Sequence, residues 1–432
     1  MKIRPNMFRI YPIRNPAMPL LVLAAIVSSN TARADAVVDW NAIASEAILT
    51  AAAAGRATPA TSLDFALVHI AIHDAVQAID KRFQPYHSRI PGATGSPAAA
   101  TAKAAHDVLR NLFPTQSTFL STAYNDFLSK NGLTESDPGV AVGQKAASDL
   151  ILLRASDGRY PTNQEPFNGS TERGAWRPTN SYLSGTPAPF SPMAVPWLRN
   201  VTPFTIRGTA QFRPVPPPSL TSARYTRDYD EVRRLGSLQS SERTAEETGL
   251  AYFWADNTIA KWNATMRGIA SAKLTKIGDS ARLFALANMA IADAVITTWE
   301  NKYRFNFWRP LTAIQEDDGN PDTIRDSNWQ PLINNPNYPD YTSGANAVTG
   351  AATRTLEHFF DSNRMTFTMP STHPLADPKV RTYRRFTDAA EDVVDARILL
   401  GIHFRFADTE ARRLGVRVAN WAFPRYLQPI GE

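Results

Sequence analysis

Residues 281–310 read ARLFALANMA IADAVITTWE NKYRFNFWRP. The first nineteen, Ala281 to Trp299, are strongly apolar and Ala-rich, with Asp293 set among them. Ala and Leu favour helix, and no Pro or Gly interrupts the run, so a core helix is predicted. In its tail, Lys302 to Pro310, Lys302 and Arg309 stand seven residues apart. Seven helical residues turn through about 700°, so Lys302 and Arg309 are expected on one face, with Pro310 ending the helix. An Arg fork and a Lys point charge on one wall suit an oxyanion.

The same texture extends on both sides. Upstream, apolar residues recur every three or four positions over Trp40–Ala54, Leu63–Ile79, Ala98–Leu112, Gln116–Leu128 and Val140–Arg154. Further helices are expected over Thr226–Leu235, Ser241–Ala255, Thr258–Leu274, Gly344–Phe360, Thr382–Gly401 and Thr409–Phe423. Between the two groups, twelve of the 32 prolines fall from Pro161 to Pro218. Regular helix is excluded there, since each interior Pro costs about 3 kcal/mol. Trp176, Phe190, Trp197, Phe204 and Phe212 lie in the same stretch, and solvated linkers lack such aromatics. The expected organisation is all-α: an N-terminal helical region (35–159), an ordered Pro-rich connector (160–220) and a C-terminal helical bundle (221–432).

Residues 1–34 read as a secretory leader. Lys2, Arg4, Arg9 and Arg14 form a basic start, Met18–Val27 an apolar stretch, and Ala32-Arg33-Ala34 a small-x-small cleavage pattern. Export to the periplasm or medium is expected, with no membrane span after cleavage. Five of the 46 Lys and Arg, and none of the 40 Asp and Glu, fall in those 34 residues, so the net charge of +6 becomes +1 without them. A nucleic-acid partner is therefore not expected. With no Cys among 432 residues, disulfides, thiolate metal sites and Cys nucleophiles are excluded. A chain without thiols also suits peroxide chemistry.

Two further stretches carry chemistry. Thr342-Ser343-Gly344-Ala345-Asn346 leads into a helix, where Ser is an N-cap signal and the free N–H groups favour an anion. In Arg397-Ile-Leu-Leu-Gly401-Ile-His403, Arg and His are six apart, about 120° off one another on a straight helix. They converge only if the helix breaks, and Gly401 is the place for a break. His403 beside cations could serve as nucleophile or ligand through one ring nitrogen.

Taken together, Lys-x6-Arg-Pro, Ser-Gly at a helix start and Arg-x5-His resemble the signature of the type 2 phosphatidic acid phosphatase superfamily, which includes the vanadium-dependent haloperoxidases. Ala292-Asp293-Ala294, Trp299, Asn306-Phe307-Trp308, Gly401-Ile-His-Phe-Arg-Phe406, His69-Ile-Ala-Ile-His73-Asp74 and the Pro-rich connector are similar to the bacterial haloperoxidase branch. The resemblance implies a helical-bundle fold and a site for vanadate, which phosphate could also occupy. His403 would be the axial ligand of vanadium. Lys302, Arg309, Ser343, the Gly344 N–H and Arg397 would bind the oxygens, with Trp299 just outside them. The implied chemistry uses hydrogen peroxide to oxidise a halide or a small organic substrate. The alternatives are a metal-free acid phosphatase with His403 as nucleophile, or a catalytically weak oxyanion-binding homologue. A homodimer is a further expectation.

The match breaks in three places. The family's middle motif has a His where this chain has Ala345; that His is the acid–base partner across the anion. Its loss should weaken activity, since such help is typically worth about 10²–10⁴-fold. Asn346 can offer a hydrogen bond only, and His373 is a remote substitute. The Ser that usually precedes the third motif's Arg is Ala396. The Asp that orients the histidine four residues after it is Ala407, with Asp408 one step out of place and turned away by about 100°. Two other groupings read as structural: the His69/His73 pair as core, and Asp317-Asp318-Gly319-Asn320 as a turn.

Overall fold

The computed structural model describes residues 35–179 and 191–431; the proposed leader and Phe190 lie outside them. Among the described residues are thirteen α-helices and one two-stranded hairpin. The N-terminal group is α1 (Ala36–Ala53), α2 (Thr61–Asp80), α3 (Pro97–Leu112), α4 (Ser117–Lys130) and α5 (Pro138–Leu153). After the Pro-rich stretch come α6 (Ala223–Leu235), α7 (Ala245–Phe253), α8 (Thr258–Lys273), α9 (Ile277–Phe305) and α10 (Pro310–Gln315). Then follow α11 (Gly344–Phe360), β1 (Arg364–Pro370), β2 (Val380–Arg385), α12 (Phe386–Leu399) and α13 (Arg405–Ala422).

Two long buried helices, α2 and α9, pack on each other at the centre. Both are long and apolar enough to cross a membrane by length and composition, yet they are 89% and 94% buried inside the protein. Around them α3 and α5 cover α2, while α11 and α13 cover α9. A Cβ on Gly350 would collide with the Arg412 carbonyl, and one on Gly415 with the Ala347 carbonyl. Glycine thus lets α11 and α13 approach closely. That contact fixes the start of α11 against the start of α13, the two places where the site motifs lie.

The Pro-rich stretch is tied to α9 by a buried carboxylate. Asp293 accepts from the N–H groups of Phe204 (2.6 Å), Thr205 (2.7 Å) and Ile206 (3.1 Å), and from the Thr205 hydroxyl (2.5 Å). Trp176, Trp197 and Phe204 are buried, as their apolar character requires. The stretch also grips the end of α9: Trp176 N–H donates to Asn306 O, and Trp308 N–H to Gly174 O.

Three expectations are corrected. Lys302 and Arg309 do not share a helix. Asn306 takes a left-handed conformation (φ 44°) and ends α9 at Phe305, a role Asn tolerates well. Pro310 therefore starts α10 instead of stopping α9, at the first helical position where its missing N–H costs nothing. Thr382–Arg385 is strand rather than helix. It pairs antiparallel with β1, whose Phe367 faces Tyr383 across the hairpin.

Candidate anion site

The motif residues converge beside a cleft of about 250 Å³, which Gly344, Arg397 and His403 line. Lys302 reaches there from the last turn of α9, and its Nζ donates to the carbonyls of Pro339 (2.6 Å) and Asp340 (3.0 Å). Arg309 caps α10. Its Nε donates to Tyr338 O (2.9 Å) and its Nη1 to Ile402 O (2.5 Å), while Nη2 has no hydrogen-bond partner. Arg397, in the last turn of α12, donates through Nη1 to Trp254 O (3.1 Å), and its buried Nε is unpartnered. Past it the chain breaks at Gly401 (φ 77°), which returns His403 to the same spot before α13 begins.

Ser343 stands at the N-cap of α11 but makes no capping hydrogen bond with its side chain. Its hydroxyl instead bonds the Asp408 carboxyl and lies 3.5 Å from Asn346 Nδ2, at a helix N-terminus where the backbone N–H groups favour negative charge. A Cβ on Gly344 would sit 3.5 Å from the Trp299 ring, so the glycine keeps this corner open. Trp299 is itself held by its indole N–H on Ala194 O (3.0 Å). Gly344, Ala345, Trp299, Tyr338, Arg397 and His403 line the cleft. Lys302, Arg309 and Ser343 are fully buried and are not among its lining residues.

Burial sets the electrostatics. It pushes the Lys302 ammonium well below its usual range, and the neighbouring Arg309 adds to the shift. The Arg309 and Arg397 guanidinium groups are likewise depressed. The His403 imidazole is held well below its ordinary value by burial and by all three cations. In the same pocket burial raises Asp340 to about 7 and drives Asp408 well above the carboxylate range. Three buried cations thus face two carboxyl groups that resist ionising. An added anion would relieve that imbalance.

Sequence reasoning missed Asp340. Its carboxylate, not that of Asp408, meets His403 Nδ1 in a short hydrogen bond. Asp408 instead accepts from Asn346 Nδ2 at 2.8 Å. The only signal was the position of Asp340 three residues before Ser343, since 63 residues separate it from His403. His373 stacks on Tyr252 (5.1 Å) and does not line the cleft, so it does not replace the missing acid–base His at Ala345. His69 is a core residue, stacked on Phe284 and bonded to Asn41. Asp317 and Asp318 close a turn by accepting from Gly319 and Asn320 N–H.

Residues 282–432 match the family model described as the VCPO second helical-bundle domain. A curated relative is the vanadium chloroperoxidase of Curvularia inaequalis, 26% identical over 296 residues. That alignment covers 53% of this chain and 48% of the relative, so the chain spans about half of its length. Among solved structures, a bacterial vanadium-dependent iodoperoxidase superimposes with a TM-score of 0.75 at 23% identity, covering 92% of this chain and 96% of that one. A holo-type bacterial vanadium-dependent chloroperoxidase gives 0.71 at 19%, covering 85% and 91%. The fold is that of the vanadium haloperoxidases, and the chain is vanadium haloperoxidase-like.

Proposed function

We propose that the chain is a vanadate-dependent, peroxide-driven oxidoreductase of weakened activity. The observation that carries this reading is the convergence on His403, which lines the cleft, of two buried guanidinium groups with unpartnered nitrogens, Arg309 Nη2 and Arg397 Nε. Arg309 Nη1 lies 3.3 Å from His403 Nε2 and can only donate, so Nε2 presents a lone pair. A lone-pair nitrogen beside guanidinium donors and a helix N-terminus would suit an oxyanion whose central atom also takes a nitrogen ligand.

His403 Nε2 would ligate vanadium, while Lys302, Arg309, Arg397, Ser343 Oγ and the Gly344 N–H would hold its oxygens. Bound vanadate would supply Lewis-acid activation of hydrogen peroxide. The protein's own part is charge and orientation. Three fixed cations balance the anion's charge without reorganising. Ala345 can neither give nor take a proton, so solvent must do so, and turnover should suffer accordingly. Val295, Ile259, Ile333 and Val348 make the cleft walls apolar, which favours a poorly hydrated halide or a small organic substrate.

The test is titration of the purified protein with orthovanadate by calorimetry, followed by peroxide with iodide or bromide. Binding that disappears in His403→Ala is the expected result. No binding by the unaltered protein, or binding that survives His403→Ala, overturns the proposal. Metal-free hydrolysis of a phosphate monoester, dependent on His403, would favour the phosphatase reading. We also propose export, supported by the leader pattern in residues 1–34; a mature N-terminus at Asp35 tests it.

A further inference from the structure

We propose that Asp340 is the positioning residue of His403, supplying from the loop before α11 the carboxylate that the third motif lacks at Ala407. The inference rests on the anion site proposed above and assigns a role within it. Ala407 offers only a methyl group, and Asp408 is turned to Asn346. Asp340 meets His403 Nδ1 directly, and neither side chain is more than 2% exposed.

The tautomer follows from the partners. His403 Nε2 faces Arg309 Nη1, which cannot accept a hydrogen bond. A neutral imidazole must then carry its proton on Nδ1 and give it to Asp340. The ring is fixed with its lone pair turned to the same side as Arg309, where an oxyanion would lie. Asp340 and Arg309 favour the same tautomer; without Asp340 only the long 3.3 Å Arg309 contact opposes a proton on Nε2, where it would remove the ligating lone pair.

Asp340 is itself held rigidly. Its N–H donates to Phe307 O (2.9 Å). Three successive carbonyls, those of Tyr338, Pro339 and Asp340, accept from Arg309 Nε and from Lys302 Nζ twice. The two cations therefore have a second task, which is to strap down the loop that carries the carboxylate. The histidine is oriented from the α10–α11 side of the site instead of from α13. Because that loop runs directly into Ser343, orientation of the ligand and of the oxyanion donors is joined in one segment.

The test compares Asp340→Asn, Asp340→Ala and Asp340→Glu with the unaltered protein. Circular dichroism first establishes that each variant is folded; the near-isosteric Asp340→Asn keeps the test open if Asp340→Ala is not. Long-range proton–nitrogen spectra of protein labelled at histidine nitrogen, without vanadate, report the tautomer; His403→Gln identifies the signal. Expected are an Nδ1–H tautomer in the unaltered protein and its loss in Asp340→Ala. Orthovanadate affinity, read by calorimetry, should fall about 10–100-fold in Asp340→Ala and Asp340→Asn, the usual cost of removing a partner that orients a metal-ligating histidine. Asp340→Glu should recover part of it. An unchanged tautomer with vanadate affinity within about twofold in both variants overturns the assignment. If the unaltered protein binds no vanadate while the tautomer still depends on Asp340, the anion reading fails and the positioning role stands.

Discussion

Ala345 lines the cleft between Gly344 and the apolar Val348, at the position where the motif elsewhere carries a histidine. Its methyl leaves the three cations and His403 in place but removes proton handling from that face. The two functions are thus separable at a single residue. Ala345→His should raise turnover with peroxide and iodide by about 10²–10⁴-fold. Vanadate affinity should change far less, because the anion's donors are untouched. Steady-state rates at saturating vanadate check this, and an unchanged kcat would mean that proton transfer is not what limits the protein. Arg309 provides the complementary case. It is fully buried, spends Nε and Nη1 on backbone carbonyls and leaves only Nη2 free. Arg309→Lys keeps a charge but cannot make both carbonyl bonds and still reach an anion. It should weaken vanadate binding by at least about tenfold by direct titration, since a hydrogen bond to a charged group is worth about 1.5–3 kcal/mol.

At the scale of elements, α2 and α9 use the same device. Each is an apolar core helix in which a buried Asp gathers backbone N–H groups from another loop. Asp74 accepts from Tyr86, His87 and Ser88, and Asp293 from Phe204, Thr205 and Ile206. An unsatisfied buried donor costs about 1–3 kcal/mol. Asp293→Ala should therefore lower stability by about 3 kcal/mol or more and open the Pro-rich stretch to protease, measured by thermal unfolding and limited proteolysis. Next to Asp74, His73 is fully buried, and burial depresses its pKa to about 4. The unfolded chain then binds more protons than the folded one between about pH 6.5 and 4. Stability supplied by the neutral ring is present above 6.5 and lost as pH falls toward 4. The shift corresponds to about 3 kcal/mol. Asp74, raised to about 6, acts in the opposite sense: its share of stability is present at low pH and lost as pH rises through 6. Comparing His73→Gln with the unaltered protein isolates the histidine, and the variant should show the shallower loss of melting temperature from pH 6.5 to 4. The helices themselves were legible in the sequence because α2 and α9 are long, apolar and free of Pro. The end of α9 was not, since a single left-handed Asn306 outweighs a pattern that continues to Trp308. Strand β2 was missed because Thr382–Arg385 is too short for alternation to stand out from the helix that follows. Lys302, Arg309, Ser343, Gly344, Arg397 and His403 could be read from spacing and resemblance, whereas Asp340 and His403 are joined only by the fold.

For the molecule as a whole, the question is whether the anion is drawn by a general positive field or by local charges. The formal charge of +6 belongs almost entirely to residues 1–34, and the remaining chain carries +1. With the proposed leader removed, long-range attraction would be slight, and in salt it is screened beyond about 8 Å. Lys302, Arg309 and Arg397 are different, because they are at least nine-tenths buried, and buried charges are screened far less by salt than exposed ones. Their attraction for an anion should therefore persist at ionic strengths that abolish surface effects. Orthovanadate affinity, measured without peroxide, should change by less than about threefold when sodium chloride rises from about 0.05 to 0.5 M, a range over which the Debye length falls well below the width of the protein. A loss of tenfold or more across that range would place the affinity in surface charge instead. It would then have to be explained by exposed Lys and Arg elsewhere on the molecule, with the buried trio left as structural cations that hold the carbonyls of Trp254, Tyr338, Pro339, Asp340 and Ile402.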